Sequence, residues 1–512
     1  MSLEPGFDAF AAGYAAGRVQ VVFQRLIDDL ETPVSAYLKV AHGQPYSFLF
    51  ESVEGGAWRG RYSALVMAPE LVWRCRNGVA EIAEGDDDIA AGRFRPDGDG
   101  ALESLRDLVA RSRLELPHDL PPMAAGVFGV IGYDMIRLVE TLPDVNPDPL
   151  DLPDGVLIRP SLIAIFDGEA QENILVTTVR PSTRSAGAAY AMARARIDKV
   201  IDALRQPLPA AGPRPEPAPD QFASSVSREA YGEIVERAKD YIRAGDVFQV
   251  VPSHRFSAPF PFDPFALYRS LRRTNPSPFL FFLNFPDFQL VGSSPEILVR
   301  LRDGKITIRP LAGTRPRGAS PAEDARLEAE LIADPKEHAE HLMLLDLGRN
   351  DVGRVAMLGQ QGRNAPAGPG REGPHVRVTA SFFVERYSHV MHLVSNVEGD
   401  APEGLDPVDV VMSALPAGTL SGAPKVRAMQ IIDELETQKR GVAYAGAVGY
   451  FGADGSVDTC IVLRTALFKD GRLHVQAGGG VVADSDPVAE YEETVHKARA
   501  IRTAAAEAWR FA

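Results

Sequence analysis

The sequence predicts an α+β protein, on two observations. Short apolar segments are repeatedly joined by turn dipeptides typical of β-hairpins, such as Asn77-Gly78 and Asp303-Gly304. These hairpin signals outnumber the segments that could form parallel crossover units, and no period of about 20 to 50 residues recurs. The pattern therefore favours antiparallel sheets with helices packed on them over a doubly wound parallel sheet.

The chain divides into two blocks. Residues 1–205 form an N-terminal α+β block with hairpins at Asn77-Gly78 and Asp167-Gly168. Residues 206–222 are rich in proline and alanine without periodicity, which is typical of a linker. Residues 223–512 begin with a helix that Ser227 caps and Gly245 ends, and a stretch at 361–374 with many glycines and prolines predicts a loop.

Composition excludes several classes of protein. The chain has 512 residues, of which 45% are hydrophobic and 24% are charged, as in ordinary globular proteins. A net charge of −15 argues against nucleic acid or an acidic membrane surface as the main partner. No targeting segment and no apolar run of about 18 residues is evident, so we expect a cytoplasmic protein without a membrane partner.

Two predicted helices each carry a pair of glutamates three residues apart. The first pair is Glu337 and Glu340, and the second is Glu490 and Glu493. Each helix opens with Asp-Pro, an N-cap followed by proline at the first helical position. Three-residue spacing places both carboxylates of a pair on one helix face. Since Mg²⁺ prefers hard oxygen ligands, the two helices together form a candidate Mg²⁺ site.

Seven motifs in the second block resemble the chorismate-utilising enzymes, specifically the large component of anthranilate synthase. They are SPEILVRL, RPLAGTRPRG, HLMLLDLGRNDVGRV, YSHVMHLVS, PAGTLSGAPKVRAMQ, GAVGYFGADGSVDTCIVLRTA and QAGGGVVADSDPVAEYEET, in this order. The resemblance is strong over residues 226–502 and weaker in the first block, through FLFESVEGG and GVFGVIGYDMIR. It implies large, mostly antiparallel sheets packed face to face, with helices on the outside.

The resemblance also implies roles for individual residues. Glu340 and Glu493 match the Mg²⁺ ligands, Glu337 and Glu490 would be further ligands, and Glu337 would also protonate a departing hydroxyl. The positions matching the substrate site are Gly313, Thr314, Tyr444, Arg464, Gly478, Gly479, Gly480 and Lys497. The remaining catalytic positions are Thr419, Gln249 and His392.

The chemistry of these side chains suits an anionic substrate. Arg464 offers a planar fork for a carboxylate, and the three glycines at 478–480 could turn backbone N–H groups toward an anion through positive φ. Lys497 either neutralises substrate or pairs with Glu493 four residues earlier. The ordinary histidine pKa of about 6.5 suits proton transfer by His392 near neutral pH. We expect His389, which has no match in the family, to be structural.

Two positions distinguish reactions within the family. Aminodeoxychorismate synthases with a covalent intermediate carry a lysine where this chain has Ala312. Isochorismate and salicylate synthases carry a lysine base where this chain has Gln249. Both favour anthranilate synthesis from chorismate and ammonia. The alternatives are aminodeoxychorismate synthase, an isochorismate or salicylate synthase, or a regulatory tryptophan-binding protein without activity.

The resemblance implies two further partners. Neither Cys75 nor Cys460 lies in a glycine-flanked nucleophile turn, so we expect a separate glutamine amidotransferase subunit, in a heterotetramer, to supply the ammonia. FLFESVEGG and NPSPFLFF resemble the two tryptophan-inhibition strings of the family. The inhibitor positions are Glu51, Ser52, Pro278, Phe279 and Leu280, and the alternative is a packing seam between the blocks.

Overall fold

The computed structural model describes most of the chain. It covers residues 2–52, 61–98, 100–210, 212, 215–217, 220–361, 376–387 and 390–512, with the backbone alone at 358–361. The predicted loop at 361–374 therefore lies almost entirely outside the described residues, as do His389 and the end of the FLFESVEGG motif.

Helices and strands account for much of the described chain. The helices are α1 (Phe7–Ala15), α2 (Pro33–Val40), α3 (Asp86–Ala90), α4 (Ala101–Arg111), α5 (Ala186–Leu204), α6 (Arg228–Ala244), α7 (Pro264–Thr274), α8 (Pro321–Ala333), α9 (Pro335–Gln361), α10 (Pro407–Ala414), α11 (Gly418–Ser421), α12 (Lys425–Leu435) and α13 (Pro487–Glu507). The strands of the N-terminal block are β1 (Gln20–Ile27), β2 (Ser47–Glu51), β3 (Tyr62–Arg76), β4 (Val79–Glu84), β5 (Arg95–Pro96), β6 (Gly126–Ile131), β7 (Gly155–Asp167) and β8 (Glu172–Val179). Those that follow are β9 (Ala223–Ser224), β10 (Gln249–Val250), β11 (Ser253–Pro259), β12 (Phe279–Asn284), β13 (Gln289–Ser294), β14 (Ile297–Arg302), β15 (Lys305–Ile308), β16 (Leu311–Pro316), β17 (Arg377–Arg386), β18 (Val390–Asp400), β19 (Gly422–Ala423), β20 (Ala447–Gly452), β21 (Val457–Ile461), β22 (Thr465–Lys469) and β23 (Arg472–Gly478).

In the described residues, 21 strands join in one hydrogen-bonded sheet system, and β10 pairs with β19 separately. Neighbouring strands run antiparallel throughout. Antiparallel neighbours can be connected by short turns, which is why the hairpin dipeptides were informative. The α+β prediction is confirmed.

The core has a central layer between sheet faces and two outer layers. The central cluster consists mainly of strand side chains, such as Phe48, Ile165, Leu290 and Val448. One outer cluster packs α1, α5, α7 and α13 on the sheet, and the other packs α4, α10 and α12. Burying both faces of the sheet removes apolar surface from water on each side. The arrangement confirms sheets packed face to face with helices on the outside.

The two sequence blocks share this sheet. Strand β2 of the first block pairs with β12 of the second, with Phe50 opposite Phe281. Strand β6 pairs with β20, with Gly129 opposite Gly449. The described part of residues 206–222 contains no helix or strand. The block boundaries at 205 and 223 thus remain a division of the sequence, while the sheet runs across them.

Local turn chemistry explains where several elements end. Asn77 and Gly78 both have positive φ, 50° and 74°, and join β3 to β4 in the predicted hairpin. The Ser227 side chain accepts a hydrogen bond at the start of α6, and Gly245 ends that helix at φ 84°. These local predictions are confirmed because each depends on only a few neighbouring residues.

Candidate active site

The two acidic helices start where the Asp-Pro pairs predict. Asp334 caps the start of α9 and Asp486 caps the start of α13, each by accepting two backbone N–H hydrogen bonds. Proline follows each cap, at a position where its missing N–H would have no helical partner. The caps determine where each helix begins and therefore which face carries its glutamates.

The carboxylates of the two helices lie within one another's electrostatic field. Burial raises the pKa of Glu340, and the nearby carboxylates of Glu337 and Glu493 raise it further. Lys497 and a hydrogen bond with Gln249 lower the same pKa. Mutual repulsion of this kind means that the glutamates favour a cation, or protons, between them.

Glu490 shows a second sign of an incomplete site. It is buried, and burial raises its pKa, although the Ser485 hydroxyl donates to Oε1 at 2.6 Å. Its Oε2 atom is also buried and accepts no hydrogen bond from the described residues. A buried carboxylate oxygen without a donor is costly, so Oε2 suits a metal-bound water or another donor.

The glutamates fit Mg²⁺ by their chemistry. Within the described residues, no three acidic, histidine or cysteine side chains lie close enough to hold a metal ion by themselves. Mg²⁺ commonly keeps several waters and takes only one or two protein carboxylates. The hard oxygen donors and the repulsion around Glu340 are compatible with that mode, in which Glu340 and Glu493 are the candidate ligands.

Glu337 has a partner of its own. Arg315 Nη1 lies 3.1 Å from Glu337 Oε1, and the same guanidinium contacts Asp334 at 2.7 Å. The pair holds the Glu337 side chain at the start of α9. Its roles as an acid and as a further metal ligand stay predictions.

The glycine run at 478–480 is required for a different reason from the one predicted. None of the three glycines has positive φ. A Cβ on Gly479 would lie 2.7 Å from Oε2 of Glu490, and one on Gly480 would lie 2.6 Å from Nε2 of Gln249. The residues are glycines because side chains approach the backbone closely here. The prediction of successive positive-φ N–H groups was wrong.

Lys497 connects the glycine run with α13. Its Nζ lies 2.7 Å from Glu493 Oε1 and donates to the carbonyl of Gly478 at 2.9 Å. The i,i+4 pair predicted as one alternative is thus present. Because the ammonium also reaches the glycine run, it provides positive charge next to the candidate substrate position.

His392 lies on β18 opposite Thr314 of β16. Its Nδ1 is 3.0 Å from the carbonyl oxygen of Gly313, which can only accept, so Nδ1 carries the proton. Gly313, at φ 64°, lies where the register between the two strands shifts. The Nε2 lone pair is buried, without a hydrogen bond to the described residues. Burial, with Arg464 nearby, lowers the pKa of His392 to about 4.

The low pKa changes the expected state of this histidine. The sequence suggested a group titrating near its ordinary value, whereas the buried His392 stays neutral at pH 7. A neutral imidazole with a free Nε2 can accept a proton or a hydrogen bond but cannot donate from that atom.

Arg464 is partly buried at the end of the loop between β21 and β22. Burial lowers its pKa, and neighbouring Glu296 and Tyr387 act against that shift. Its backbone adopts φ 48°, which is uncommon for a residue with a side chain. Strained backbone of this kind is often found where a side chain is held for function. The guanidinium is available for an anion in a site of low polarity.

Glu296 is a candidate residue that the sequence prediction missed. It is 8% exposed, and burial raises its pKa to about 8, although Thr419 and Arg464 lower it. The Thr419 hydroxyl donates to the carboxyl group at 3.3 Å. Glu296 is therefore protonated at neutral pH. The available signal was the single carboxylate of the SPEILVRL motif.

Tyr444 and Gln249 complete the group of buried polar residues. Tyr444 is 3% exposed, and a Cβ on Gly478 would lie 3.0 Å from its hydroxyl. Gln249 is 3% exposed and contacts Glu340. The structure thus brings the predicted residues on α9, α13, β16, β18 and the glycine run into one neighbourhood with Glu296.

The predicted inhibitor residues line a separate cavity. Glu51, Ser52, Pro278, Phe279 and Leu280 all border it. The Glu51 carboxylate accepts from Arg272 at 3.0 and 3.1 Å and from the Tyr268 hydroxyl. Glu51 therefore holds β2 against α7, while the cavity wall is mainly apolar and aromatic.

Comparison with known proteins agrees with this fold and site. The profile of the chorismate binding enzyme family matches residues 69–503. By fold and site the chain thus belongs to the chorismate-binding enzymes. Anthranilate synthase component 1 of Cereibacter sphaeroides is 56% identical over 99% of this chain and 98% of that protein. The protein of the same name from Thermus thermophilus is 45% identical over 94% and 97%. Within the chorismate-binding enzymes, the chain belongs to the anthranilate synthase component 1 family.

Solved structures support the same conclusion. Anthranilate synthase component I from Streptococcus pneumoniae superposes with a TM-score of 0.75 at 35% identity, covering 94% of this chain and 99% of that one. The menaquinone-specific isochorismate synthase from Escherichia coli has a TM-score of 0.67 at 21% identity, covering 95% and 94%. The second likeness concerns the fold alone. Among the described helices, none has the length and apolar character needed to cross a bilayer.

Proposed function

We propose that the protein converts chorismate and ammonia to anthranilate and pyruvate, with Mg²⁺, as a step in tryptophan biosynthesis. One observation carries this proposal: two buried side chains near Arg464 are suited to opposite proton transfers. Glu296 is protonated and can donate a proton, and His392 is neutral and can accept one. The names of its relatives supply the substrate and product class. The reaction needs one proton donor and one proton acceptor in a site that binds a diacid.

Each residue has a place in the proposed reaction. Arg464 binds a carboxylate of chorismate, with Lys497 nearby as a second positive charge. Protonated Glu296 gives its proton to the hydroxyl that leaves as ammonia adds to the ring. An ammonium proton then returns to Glu296. Nε2 of His392 accepts the ring proton, the C–H electron pair completes the aromatic ring, and the ring C–O bond breaks. The leaving group is the enolate of pyruvate, which takes up the proton from His392 to give pyruvate. Glu340 and Glu493 would hold Mg²⁺, which polarises the ring carboxylate when bound.

The position of Gln249 supports ammonia rather than water as the nucleophile. An amide side chain cannot remove a proton from water, whereas ammonia needs no base to attack. Gln249 lies against Gly480 and Glu340, at the edge of the glutamate cluster. Ala312 on β16 likewise provides no amine for a covalent intermediate. These two residues favour anthranilate synthesis over the other reactions of the family. The four glutamates, His392 and Arg464 favour it over a protein without activity.

A fluorescence assay tests the proposal. Incubating the protein with chorismate, Mg²⁺ and ammonium should produce anthranilate, and Arg464→Ala should lower the rate by about a hundredfold or more because a charged donor to the substrate is lost. Production of isochorismate, salicylate or aminodeoxychorismate instead would refute the assignment. A rate for Arg464→Ala within a few-fold of the unsubstituted protein would refute the role of that residue.

We propose that ammonia comes from a separate glutamine amidotransferase subunit. Burial raises the pKa of the Cys75 thiol to about 12 and also raises that of Cys460, so neither supplies a thiolate near pH 7. The chain alone should use ammonium but not glutamine. Appreciable glutamine-dependent anthranilate formation by the isolated chain would contradict this inference.

We also propose that tryptophan binds the cavity lined by residues of β2, β12 and β20 and inhibits the enzyme. The wall combines aromatic side chains such as Phe50 and Phe279 with the ion pair Arg300–Asp458, whose closest atoms are 3.1 Å apart. An indole suits the aromatic part, and the carboxylate and ammonium of an amino acid suit the charged pair. Tryptophan should lower ammonium-dependent activity, with tyrosine as the matched control ligand. Equal activity with and without tryptophan would dismiss the proposal.

A further inference from the structure

Arg440 is the most completely buried cation of the described chain that lies next to the candidate active site. It is 1% exposed, and Nη1 donates to the carbonyl oxygen of Leu420 at 2.6 Å. Nη2 donates to the carbonyl oxygen of Val251 at 2.7 Å. The guanidinium also forms a bidentate pair with Glu436, with Nε 3.1 Å from both oxygens. A buried arginine with so many partners is held in a single geometry.

The carbonyls that Arg440 contacts belong to segments of the candidate site. Leu420 directly follows Thr419, whose hydroxyl donates to Glu296. Val251 follows β10, which contains Gln249. These two segments are far apart in sequence, and the two ends of one rigid guanidinium plane join them. A change in the position of this plane would move both.

The carboxylate of Glu436 extends the same network to the glycine run. Its Oε1 accepts from the backbone N–H and the hydroxyl of Ser253, at 2.8 and 2.7 Å. Ser253 opens β11, where it lies opposite Gly478 of β23. The start of the glycine run is therefore held, through Ser253 and Glu436, by the same arginine.

Two aromatic rings cover the guanidinium. Its carbon lies 5.3 Å from the ring centre of Tyr444 and 4.9 Å from that of Tyr133. Tyr444 is a candidate substrate residue, whereas Tyr133 comes from the GYDMIR motif of the first block. Next to Tyr133, Asp134 accepts from the backbone N–H of Gly441 at 3.0 Å. The motif thus braces the segment that carries both Arg440 and Tyr444, by cation–π contact and a hydrogen bond.

We propose that Arg440 is a positioning residue, which sets the spacing of the segments that bind chorismate, and that Tyr133 of the first block holds it in place. The inference rests on the proposed function, because it takes Thr419, Gln249, Tyr444 and Gly478 as the substrate-binding segments. The guanidinium of Arg440 is occupied by Glu436 and the two carbonyl oxygens, so it acts through these segments. It gives the GYDMIR motif, which the proposed chemistry does not use, a role in the active site.

The test compares chorismate affinity and turnover in two substitutions. Arg440→Lys keeps the charge beside Glu436 but cannot reach both carbonyls, so the Kd and the KM for chorismate should rise by about tenfold to a hundredfold. Tyr133→Leu removes the ring face and should raise both constants in the same direction. Tyr133→Phe keeps the ring and should behave as the unsubstituted protein, because the Tyr133 hydroxyl has no hydrogen bond to the described residues.

Arg159→Lys is the matched control for a general loss of stability. Arg159 is also buried, at 7% exposure, but it pairs with Glu70 at 2.6 Å on the first-block sheet. The Arg159→Lys substitution should lower the melting temperature without changing the Kd or the KM for chorismate. If Arg440→Lys fails to fold, the Tyr133→Leu protein provides the test. A KM and a Kd for chorismate in Tyr133→Leu within twofold of those of the unsubstituted protein would overturn the inference.

Measuring both chorismate binding and turnover distinguishes a failure of the proposed function from a failure of the role proposed for Arg440. If the unsubstituted protein binds chorismate, measured by calorimetry, but makes no anthranilate, the proposed function fails. Unchanged chorismate Kd values in folded Arg440→Lys and Tyr133→Leu proteins would instead show that Arg440 does not position the site. Raised Kd values in both, with Tyr133→Phe unaffected, support the inference whatever the product.

Discussion

Glu296 and His392 show how one physical cause gives two opposite chemical states. Burial disfavours the charged form of any side chain. It therefore raises the pKa of the Glu296 carboxyl to about 8 and lowers that of the His392 imidazole to about 4. At neutral pH the site then contains a protonated acid and an unprotonated base, both uncharged, ready for opposite proton transfers.

Substitution of the acid should affect turnover more than binding. Glu296→Gln keeps the size of the side chain but cannot give a proton, so kcat should fall by about a hundredfold or more while KM for chorismate changes little. The rate of the unsubstituted protein should also fall above pH 8, where Glu296 becomes charged. Steady-state kinetics over this pH range provide the measurement.

Glu70→Gln is the control for this prediction, because Glu70 pairs with arginines away from the site. It should retain both the rate and the alkaline fall. An unchanged kcat in Glu296→Gln would remove Glu296 from the mechanism.

The same residue makes stability depend on pH. The pKa of Glu296 rises from an ordinary value of 4.5 to about 8 on folding, so the folded chain holds the proton more tightly. Its contribution to the free energy of unfolding is complete below pH 4.5 and is lost as the pH rises through about 8. The melting temperature of the unsubstituted protein should therefore fall between pH 6 and pH 9. The fall should be smaller in Glu296→Gln. An equal pH dependence in the two proteins would contradict the shift.

The sequence could predict which residues meet at the site but not their protonation. Motif positions identified His392, Arg464 and the glutamates, because these side chains stand in recognisable strings. The state of His392 depends on burial by residues distant in sequence, and so does the pKa of Glu296. A single carboxylate such as Glu296, in the short connection between β13 and β14, has no local signal that distinguishes an acid from an ion-pair partner.

At the scale of elements, α9 and α13 carry the candidate metal ligands, and their first turns determine the geometry. The sequence was sufficient to locate both helix starts, since Asp-Pro caps act locally. It was insufficient for the glycine run at 478–480. There the need for glycine comes from Glu490 and Gln249, which approach from other elements.

Removal of one cap tests the importance of the helix start. Asp486→Ala should lower the free energy of unfolding by about 1 kcal/mol, because two backbone N–H groups at the start of α13 lose their acceptor. It should also raise the Mg²⁺ concentration needed for half-maximal activity, since Glu490 lies in the first turn. Urea unfolding and Mg²⁺ titration provide the two measurements.

Asp486→Asn, which can still accept at the N-cap, is the matched control and should retain most of the stability. If both substitutions have equal effects on stability, the cap is not what holds the start of α13.

At the scale of the whole molecule, the sheet that crosses both blocks is the main structural fact. Hairpin dipeptides were enough to predict antiparallel α+β architecture, because each hairpin is local. The pairings of β2 with β12 and of β6 with β20 join residues that are hundreds of positions apart. No local pattern specifies such partners, so the sequence suggested two blocks where the sheet is continuous.

This continuity predicts that the second block cannot fold alone. A fragment of residues 206–512 would expose the edges of β12 and β20 and the apolar cluster that both blocks share. It should be aggregated or unfolded by circular dichroism and size-exclusion chromatography, and inactive with ammonium. Co-expression with residues 1–205 is the control and should restore folding. A folded, active fragment would refute the structural dependence.

The proposed function depends most on Glu340 of α9 and Glu493 of α13, which would hold the Mg²⁺ that polarises the ring carboxylate of chorismate. The most direct measurement is anthranilate fluorescence during a Mg²⁺ titration of EDTA-treated protein, in parallel with Glu340→Ala. We expect that anthranilate formation requires added Mg²⁺ and that the Glu340→Ala protein forms no anthranilate at any Mg²⁺ concentration. Equal rates with EDTA, or a Glu340→Ala protein as active as the unsubstituted one, would contradict the claim.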